Sequence, residues 1–238
     1  MKILITGICG FVGNIIARAL LESSPKAKIT GIDNLVRPGS ELNRHALRQF
    51  GISVFHADIR NPSDLESLTP CDWIIDAAAN PTVMAGVDDK TSSRQLIEHN
   101  LIGTINLLEL CKTWSSGFIM LSTSRVYSIQ ALSELKMEVK DNAYSPSPES
   151  FDAPGMTKQG ITEDFSTQPP LSFYGTSKSA SELLVLEYGN AFDIPVFVNR
   201  SGVMAGSGQF GRSDQGIFSF WIHSYCHQKP LKYIGFNG

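Results

Sequence analysis

The chain has 238 residues, 42% of them hydrophobic and 18% charged, with a formal net charge of −3. That is enough apolar chain for one large core or one and a half domains, and the slightly acidic balance argues against a nucleic-acid or membrane surface as a partner. No apolar run reaches membrane-spanning length, the N-terminus lacks the basic start of a secretory leader, and Cys9, Cys71, Cys111 and Cys226 are scattered without CxxC or Cys/His spacing, so the expectation is a cytoplasmic protein with reduced thiols and no metal site.

Residues 2–6 (KILIT) are short, apolar and β-branched, as in a buried parallel strand. Gly7, Gly10 and Gly13 follow, and helical apolar spacing starts at Phe11 and Val12. In this strand–turn–helix, Gly7 permits the tight turn, Gly10 admits a pyrophosphate to the backbone, and Gly13 lets the helix pack close. The phosphates would sit on the free N–H groups of the helix start. The next apolar run, 28–32, ends at Asp33, twenty residues after Gly13. An acid there suits a ribose diol and repels a 2′-phosphate, which favours NAD over NADP. Arg37 keeps NADP open as a cation near that position.

A polar loop, 34–43, begins with Asn34 beside the expected adenosine, and a helix is predicted over 42–50. A third strand at 53–56 leads to Asp58, Ile59 and Arg60. Asp58 reads equally as an acceptor for the adenine amino group or as a loop carboxylate. A short helix follows at 61–68 with Pro62 in its first turn. The fourth strand is predicted over 73–79, placing Ala77, Ala78 and Ala79 at its ligand end, where small side chains let a cofactor approach. A long amphipathic helix over 91–114 contains the polar Asn100, and the fifth strand, 117–122, runs into Ser122-Thr123-Ser124.

Residues 128–170 break this rhythm with five prolines, many serines and few sustained apolar runs, and read as a long loop over the site mouth. A helix is predicted over 173–192, a sixth strand over 196–199, a glycine-rich loop over 202–216, a helix over 217–227 and a strand starting at 231–234. Together these elements predict an α/β, Rossmann-type, doubly wound and mostly parallel sheet with helices on both faces.

Tyr174 and Lys178 stand four apart on one helix, so they share a face about 6 Å apart. At an effective dielectric near 20, the ammonium favours the phenolate by about 3 kcal/mol, or about two pKa units. With an oxidised nicotinamide nearby, the tyrosine becomes a base able to take a proton from a substrate hydroxyl.

The order of glycine turn, hydroxyl-ended strand and Tyr174-x-x-x-Lys178 resembles the short-chain dehydrogenase/reductase superfamily over essentially the whole chain. The GxxGxxG spacing resembles its extended branch, which acts mainly on nucleoside-diphosphate sugars. The resemblance selects Thr123, three before Val126-Tyr127, as the third catalytic residue, with Ser124 second. It also gives Asn100 a role supporting the site through its helix. The cofactor site it implies comprises Gly7, Gly10, Phe11, Val12, Gly13, Asp33, Asn34, Asp58, Ile59, Ala77, Ala78, Ala79, Asn100, Tyr174 and Lys178. Dehydratases of this family carry Asp-Glu where this chain has Ser124-Arg125. Its Asp33-Asn-Leu-x-Arg37 and Gly208-Gln-Phe segments look most like the CDP-tyvelose (CDP-paratose) 2-epimerases. By that resemblance Gln209, Asp214 and Gln215 border the substrate. The implied activity is epimerisation of a nucleoside-diphosphate sugar through a transient ketone, in a homodimer built on helices 91–114 and 173–192. The alternatives are an NAD(P)-dependent reductase or dehydrogenase of such sugars and a non-catalytic dinucleotide-binding regulator. Three features depart from the family: Asp76 stands near its usual histidine, Ser128 replaces a glycine, and 128–170 matches no pattern. Residues 202–238 are expected to begin a substrate-binding region that members of the family continue for about a hundred residues more.

Overall fold

A computed structural model of the chain describes residues 1–87, 92–211 and 216–232. Six parallel strands form one sheet: β1 (Lys2–Thr6), β2 (Lys28–Asp33), β3 (Ser53–His56), β4 (Trp73–Asp76), β5 (Gly117–Thr123) and β10 (Val196–Ser201), the last numbered after four short strands introduced below. The order is β10-β5-β4-β1-β2-β3. The order reverses at β1 and β4, and that is where a doubly wound sheet opens its ligand crevice. The central strands are largely apolar because both of their faces are covered, whereas Phe55 on β3 and Phe197 on β10 are exposed at the two edges. Ile3, Ile5 and Ile75 pack on one side with Ala17 and Leu47. Leu4, Ile74, Phe118 and Met120 pack on the other with Leu107, Leu108 and Val185. The period of two along each strand thus feeds two separate cores.

Helices α1 (Phe11–Ser23), α2 (Ser40–Gln49) and α3 (Pro62–Glu66) connect the first strands. α2 starts two residues earlier than its apolar pattern, with Glu41 in the first turn accepting from the Gly39 N–H at 2.9 Å. β4 ends at Asp76, shorter than predicted, because the Thr6 hydroxyl accepts from the Ala77 and Ala78 N–H groups (3.1 and 3.0 Å) and turns the chain away from the ladder. The long helix is not uniform. It comprises α4 (Ser93–Ile97), a π-helical turn (Glu98–Ile102) and α5 (Gly103–Trp114), starting from the Ser92 hydroxyl as cap. Its predicted first residue, Thr91, lies outside the described residues.

The 128–170 excursion is more ordered than a loop. It holds α6 (Ile129–Glu134), a hairpin of β6 (Met137–Lys140) and β7 (Ala143–Pro146), a 3₁₀ segment (Pro148–Asp152), and a two-residue hairpin of β8 (Met156–Thr157) and β9 (Gly160–Ile161). Local turn chemistry makes these elements: Asp141 and Asn142 both take positive φ at the first hairpin's tip, as a type I′ connection requires. A small core of Val126, Tyr127 and Phe165 fastens the excursion to the end of β5. The Arg200 guanidinium donates to Glu163 O (3.2 Å) and ties it to β10. α7 (Phe173–Phe192) and α8 (Ile217–Cys226) complete the fold. The strand expected at 231–234 runs beyond the described residues; Leu231 and Lys232 are not in a strand.

Candidate active site

The glycine turn has the shape a dinucleotide needs. Gly7 sits at φ +59°, and a Cβ there would lie 2.9 Å from Ala77 O and from Ala78 Cα. The alanine run thus borders the turn, although it lies just past the strand. A Cβ on Gly13 would lie 2.4 Å from Gly7 O, so only glycine lets α1 approach this closely. α1 has Gly10 as its cap and no side-chain hydrogen bond at its start. The N–H groups of Phe11, Val12 and Gly13 and the positive dipole end therefore face the crevice with an anion-binding geometry. Asp33 ends β2 beneath this turn. Its carboxylate accepts from the Cys9 N–H (2.9 Å) and the Leu35 N–H (2.8 Å), one per oxygen, which leaves each oxygen an acceptor site for a ribose hydroxyl. Burial pushes the Asp33 carboxyl above its ordinary range, against the backbone donors that favour the charge. Burial also pushes the Cys9 thiol up to about 12, so it is no nucleophile here.

Asp58 is held by donors of its own loop and of Asn34. The Arg60 N–H and Nε donate to Oδ1 (2.9 Å each), while Arg60 Nη2 (2.7 Å) and Asn34 Nδ2 (3.1 Å) donate to Oδ2. Four donors fill the four acceptor sites of a carboxylate, leaving none for an adenine amino group. The Arg60 fork holds this carboxyl well below the usual range. Asn34 is likewise spent on the loop, its Oδ1 accepting from the Val36 N–H. Ile59 is buried and packs under Gly103. The 202–211 loop comes to the adenosine end, with Phe210 under the Arg37 guanidinium (5.4 Å) and against Gly39. Gln209 donates to Met204 O within its own loop. Asp214 and Gln215 lie outside the described residues.

At the other end of the crevice, α7 starts from the Ser172 cap and presses on the turn after β5: a Cβ on Gly175 would lie 2.2 Å from Arg125 O. This approach brings the Tyr174 phenol into the neighbourhood of the Thr123 hydroxyl, which opposes the effect of burial on the phenol. Ser124 heads a 3₁₀ turn, and no hydrogen bond joins it to Tyr174. Lys178 lies one turn along, 1% exposed. Asn100, on the π turn, accepts from the Asn80 N–H (2.8 Å) and donates to Asn80 O and Ser177 Oγ (3.1 Å each). It thus clamps the end of the alanine run to the residue before Lys178. Its backbone oxygen accepts from the Ser181 hydroxyl (3.0 Å), and the Thr104 hydroxyl lies between it (2.8 Å) and Asp76 Oδ2 (3.0 Å).

The expected softening of Tyr174 is not present in the chain alone. Burial pushes the phenol up, and the opposing influences are Thr123 and the Arg125 charge. Burial also pushes the Lys178 ammonium down, with the Asp76 and Glu182 carboxylates opposing. A charge balanced by its own carboxylates acts weakly on a neighbouring phenol. Sequence reasoning singled out Asp76 and Ser122 without this role and missed the rest of this second layer: Thr6, Asn80, Thr104, Ser177, Ser181, Glu182 and Arg200. Only the i+4 spacing of Lys178 and Glu182 could have flagged one of them.

A cavity of about 450 Å³ lies inside the excursion between α6, the 3₁₀ segment and Phe165, and none of Thr123, Tyr174 and Lys178 lines it. Among the described residues no cluster of His, Cys, Asp and Glu could hold a metal ion, and no helix is long and apolar enough to cross a membrane.

The strand order and the glycine-framed helix start define a Rossmann-type nucleotide-binding protein. The model of the NAD dependent epimerase/dehydratase family matches residues 3–238, and the chain belongs to that family. NAD is its cofactor, and the donor set of the turn fits it: free helix N–H groups for the pyrophosphate and Asp33 for an unphosphorylated ribose. The chain is 31% identical to CDP-paratose 2-epimerase of Salmonella typhi over 234 residues, covering 96% of this chain and 63% of the relative. It is 27% identical to UDP-glucuronate 4-epimerase of Thermodesulfobacterium geofontis, covering 98% and 64%. Among solved structures it resembles UDP-glucuronic acid 4-epimerase from Bacillus cereus in complex with NAD, with TM-score 0.73 and 28% identity over 99% of this chain and 66% of that one. The chain thus spans a little under two thirds of these relatives' length.

Proposed function

We propose that the protein epimerises a nucleoside-diphosphate sugar in a cycle that is redox-neutral overall. NAD, when bound, supplies the hydride acceptor and donor for the sugar carbon. Tyr174 Oη takes the proton from the hydroxyl on that carbon and returns it at the end of the cycle. Thr123 Oγ1 holds the same oxygen, and Lys178 supplies positive charge beside the phenol and binds the ribose. Asn100 fixes α7 and the alanine run relative to one another. Gly7, Gly10, Phe11, Val12 and Gly13 receive the pyrophosphate, Asp33 the ribose, and Ala77–Ala79 leave room for the ring. Asn34, Asp58 and Ile59 shape the adenosine pocket.

The observation that carries this reading is the placement of Tyr174 near Thr123 at the end of β5 and one helical turn from a buried lysine. The Ser124-Arg125 pair favours epimerisation over dehydration, and the likeness to CDP-paratose 2-epimerase makes a CDP-hexose inverted at C2 the first substrate to test. A homodimer belongs to the reading, through Ile97, Ile102, Leu183 and Leu186, which are exposed on the helices beside α7 and on α7 itself. So does a cytoplasmic location, in keeping with four free cysteines.

The test is product analysis after incubation with NAD and CDP- or UDP-hexoses. The wild-type chain is expected to invert one centre without net NADH release. Tyr174→Phe is expected to lose about 10²-fold or more in turnover while NAD binding by calorimetry is unchanged. A fully active Tyr174→Phe protein refutes the mechanism.

A further inference from the structure

A cleft of about 510 Å³ runs along β3, the edge strand of the sheet, and none of the dinucleotide or catalytic residues named above lines it. Its size suits a small-molecule ligand. Arg44 and Arg48 line it from α2, Ser67 and Leu68 from the turn after α3, and β3 itself lies between them. The two arginines stand four apart on one helix, so their guanidinium groups are neighbours and repel. Among the described residues, carboxylates pair with Arg60, Arg94 and Arg200, and with neither Arg44 nor Arg48. Arg44 is half-buried, and its Nε is buried without a hydrogen-bond partner. A cation in that state is costly unless an acceptor reaches its fork. Arg48 spends one donor on Val54 O (3.4 Å) and keeps the rest of its fork. The same bond occupies an edge carbonyl of β3, which works against an added strand. The carboxylate lining the cleft is committed elsewhere: Asp64 accepts from the Asp58 N–H at Oδ2 (2.9 Å) and from Asn61 Nδ2 at Oδ1 (2.8 Å). Beside Arg44, Asn43 Nδ2 donates to Cys9 O (2.9 Å), which anchors α2 and with it the arginine wall.

We propose that this cleft binds the phosphate group of a small molecule between Arg44 and Arg48, as an anion site separate from the helix start of α1. One arginine fork satisfies a carboxylate, whereas a phosphate presents oxygens on several sides and can bridge two forks and relieve their repulsion. Phe55, 52% exposed, lines the same cleft and supplies an apolar face for a nucleotide base. The proposal does not rest on the epimerase reading.

The test follows the arginine Nε–H resonances of the NAD-loaded protein by proton–nitrogen NMR, each assigned by its loss in Arg44→Met or Arg48→Met. NAD fills the start of α1, so added phosphate has to bind elsewhere. Inorganic phosphate is expected to move both resonances with half-saturation at about 1 mM in low salt, and to lose that response in about 0.5 M sodium chloride. Either substitution is expected to weaken binding about tenfold, read on the remaining arginine. Arg48 is exposed, so Arg48→Met serves if Arg44→Met does not fold. Cytidine monophosphate separates the two sources of the group. Binding tighter than that of phosphate, with the gain lost in Phe55→Ala, assigns the site to a nucleotide; equal binding assigns it to free phosphate. Phosphate that moves neither resonance up to about 20 mM overturns the proposal. So does a shift that chloride reproduces at the same ionic strength, or an affinity unchanged in whichever variant folds. A responsive cleft in a protein without epimerase activity leaves the site standing, and a silent cleft in an active epimerase removes the site alone.

Discussion

The two ends of the crevice are built on different physics. At the nucleotide end the determinants are shape and backbone: Gly7 and Gly13 exist because a Cβ would strike Ala77, Ala78 and Gly7 itself, and the binding groups are N–H dipoles at a helix start. At the catalytic end they are side-chain charges: the buried Lys178 one helical turn from Tyr174, and the Glu182–Arg200 ion pair one turn further on. The first end should therefore fail on added volume and the second on altered charge.

The largest effect is expected from adding one methyl group at the nucleotide end. Gly13→Ala drives a Cβ into a backbone oxygen that cannot move aside, and is expected to cost about 3 kcal/mol of stability. The loss of NAD binding should be about 10²-fold or more, read by denaturant melts and calorimetry. If the variant binds NAD normally, the steric account of this end is wrong. A smaller loss is expected when charge is removed at constant bulk from the other end. Arg200→Met leaves the buried Glu182 unpaired and should destabilise by about 2 kcal/mol, toward the lower end for breaking a buried pair because Arg200 is partly exposed. Glu182→Gln in the same background should recover part of that, which a volume effect would not.

The smallest effect is electrostatic and lies at the nucleotide end, where it sharpens the contrast. Asp33 is the one carboxylate there whose pKa is raised, by burial. Its charged form is therefore costly in the free chain, and that cost is absent when the pH falls below the raised value. NAD needs the charged acceptor, so its affinity should fall as pH drops through this raised pKa, at a higher pH than for a free aspartate and by up to about tenfold per unit. Calorimetric NAD titrations between about pH 4 and 8, across the carboxylate range, would read it. A flat profile would assign Asp33 a purely structural role through its bonds to the Cys9 and Leu35 N–H groups.

The parts legible in the sequence were those set by local pattern. The glycine triplet, the apolar strands and the 173–192 helix each announce themselves within about twenty residues, and α7 runs over the predicted span. What stayed hidden arises from contacts between distant segments. Thr6 and Thr104 look unremarkable on their own strand and helix, yet meet Asp76 across 70 and 28 residues of separation. The capture of Asp58 by Arg60 was hidden for another reason: either outcome uses the same residues, and only geometry tells them apart. The excursion was read as loop because its strands are two to four residues long, too short for periodicity to register.

The π turn at Glu98–Ile102 carries a consequence for how this helix can change. A π turn holds one residue more than the α-helix around it, so the stretch behaves as an α-helix with a one-residue insertion. Deleting a residue there would heal the helix and rotate its N-terminal part by about 100° relative to α5. Asn100 would swing off Asn80 and Ser177 without a single side chain having been replaced. The clamp is thus encoded by the number of residues in the turn as much as by the asparagine, and a chain gains or loses it through length before it does so through chemistry.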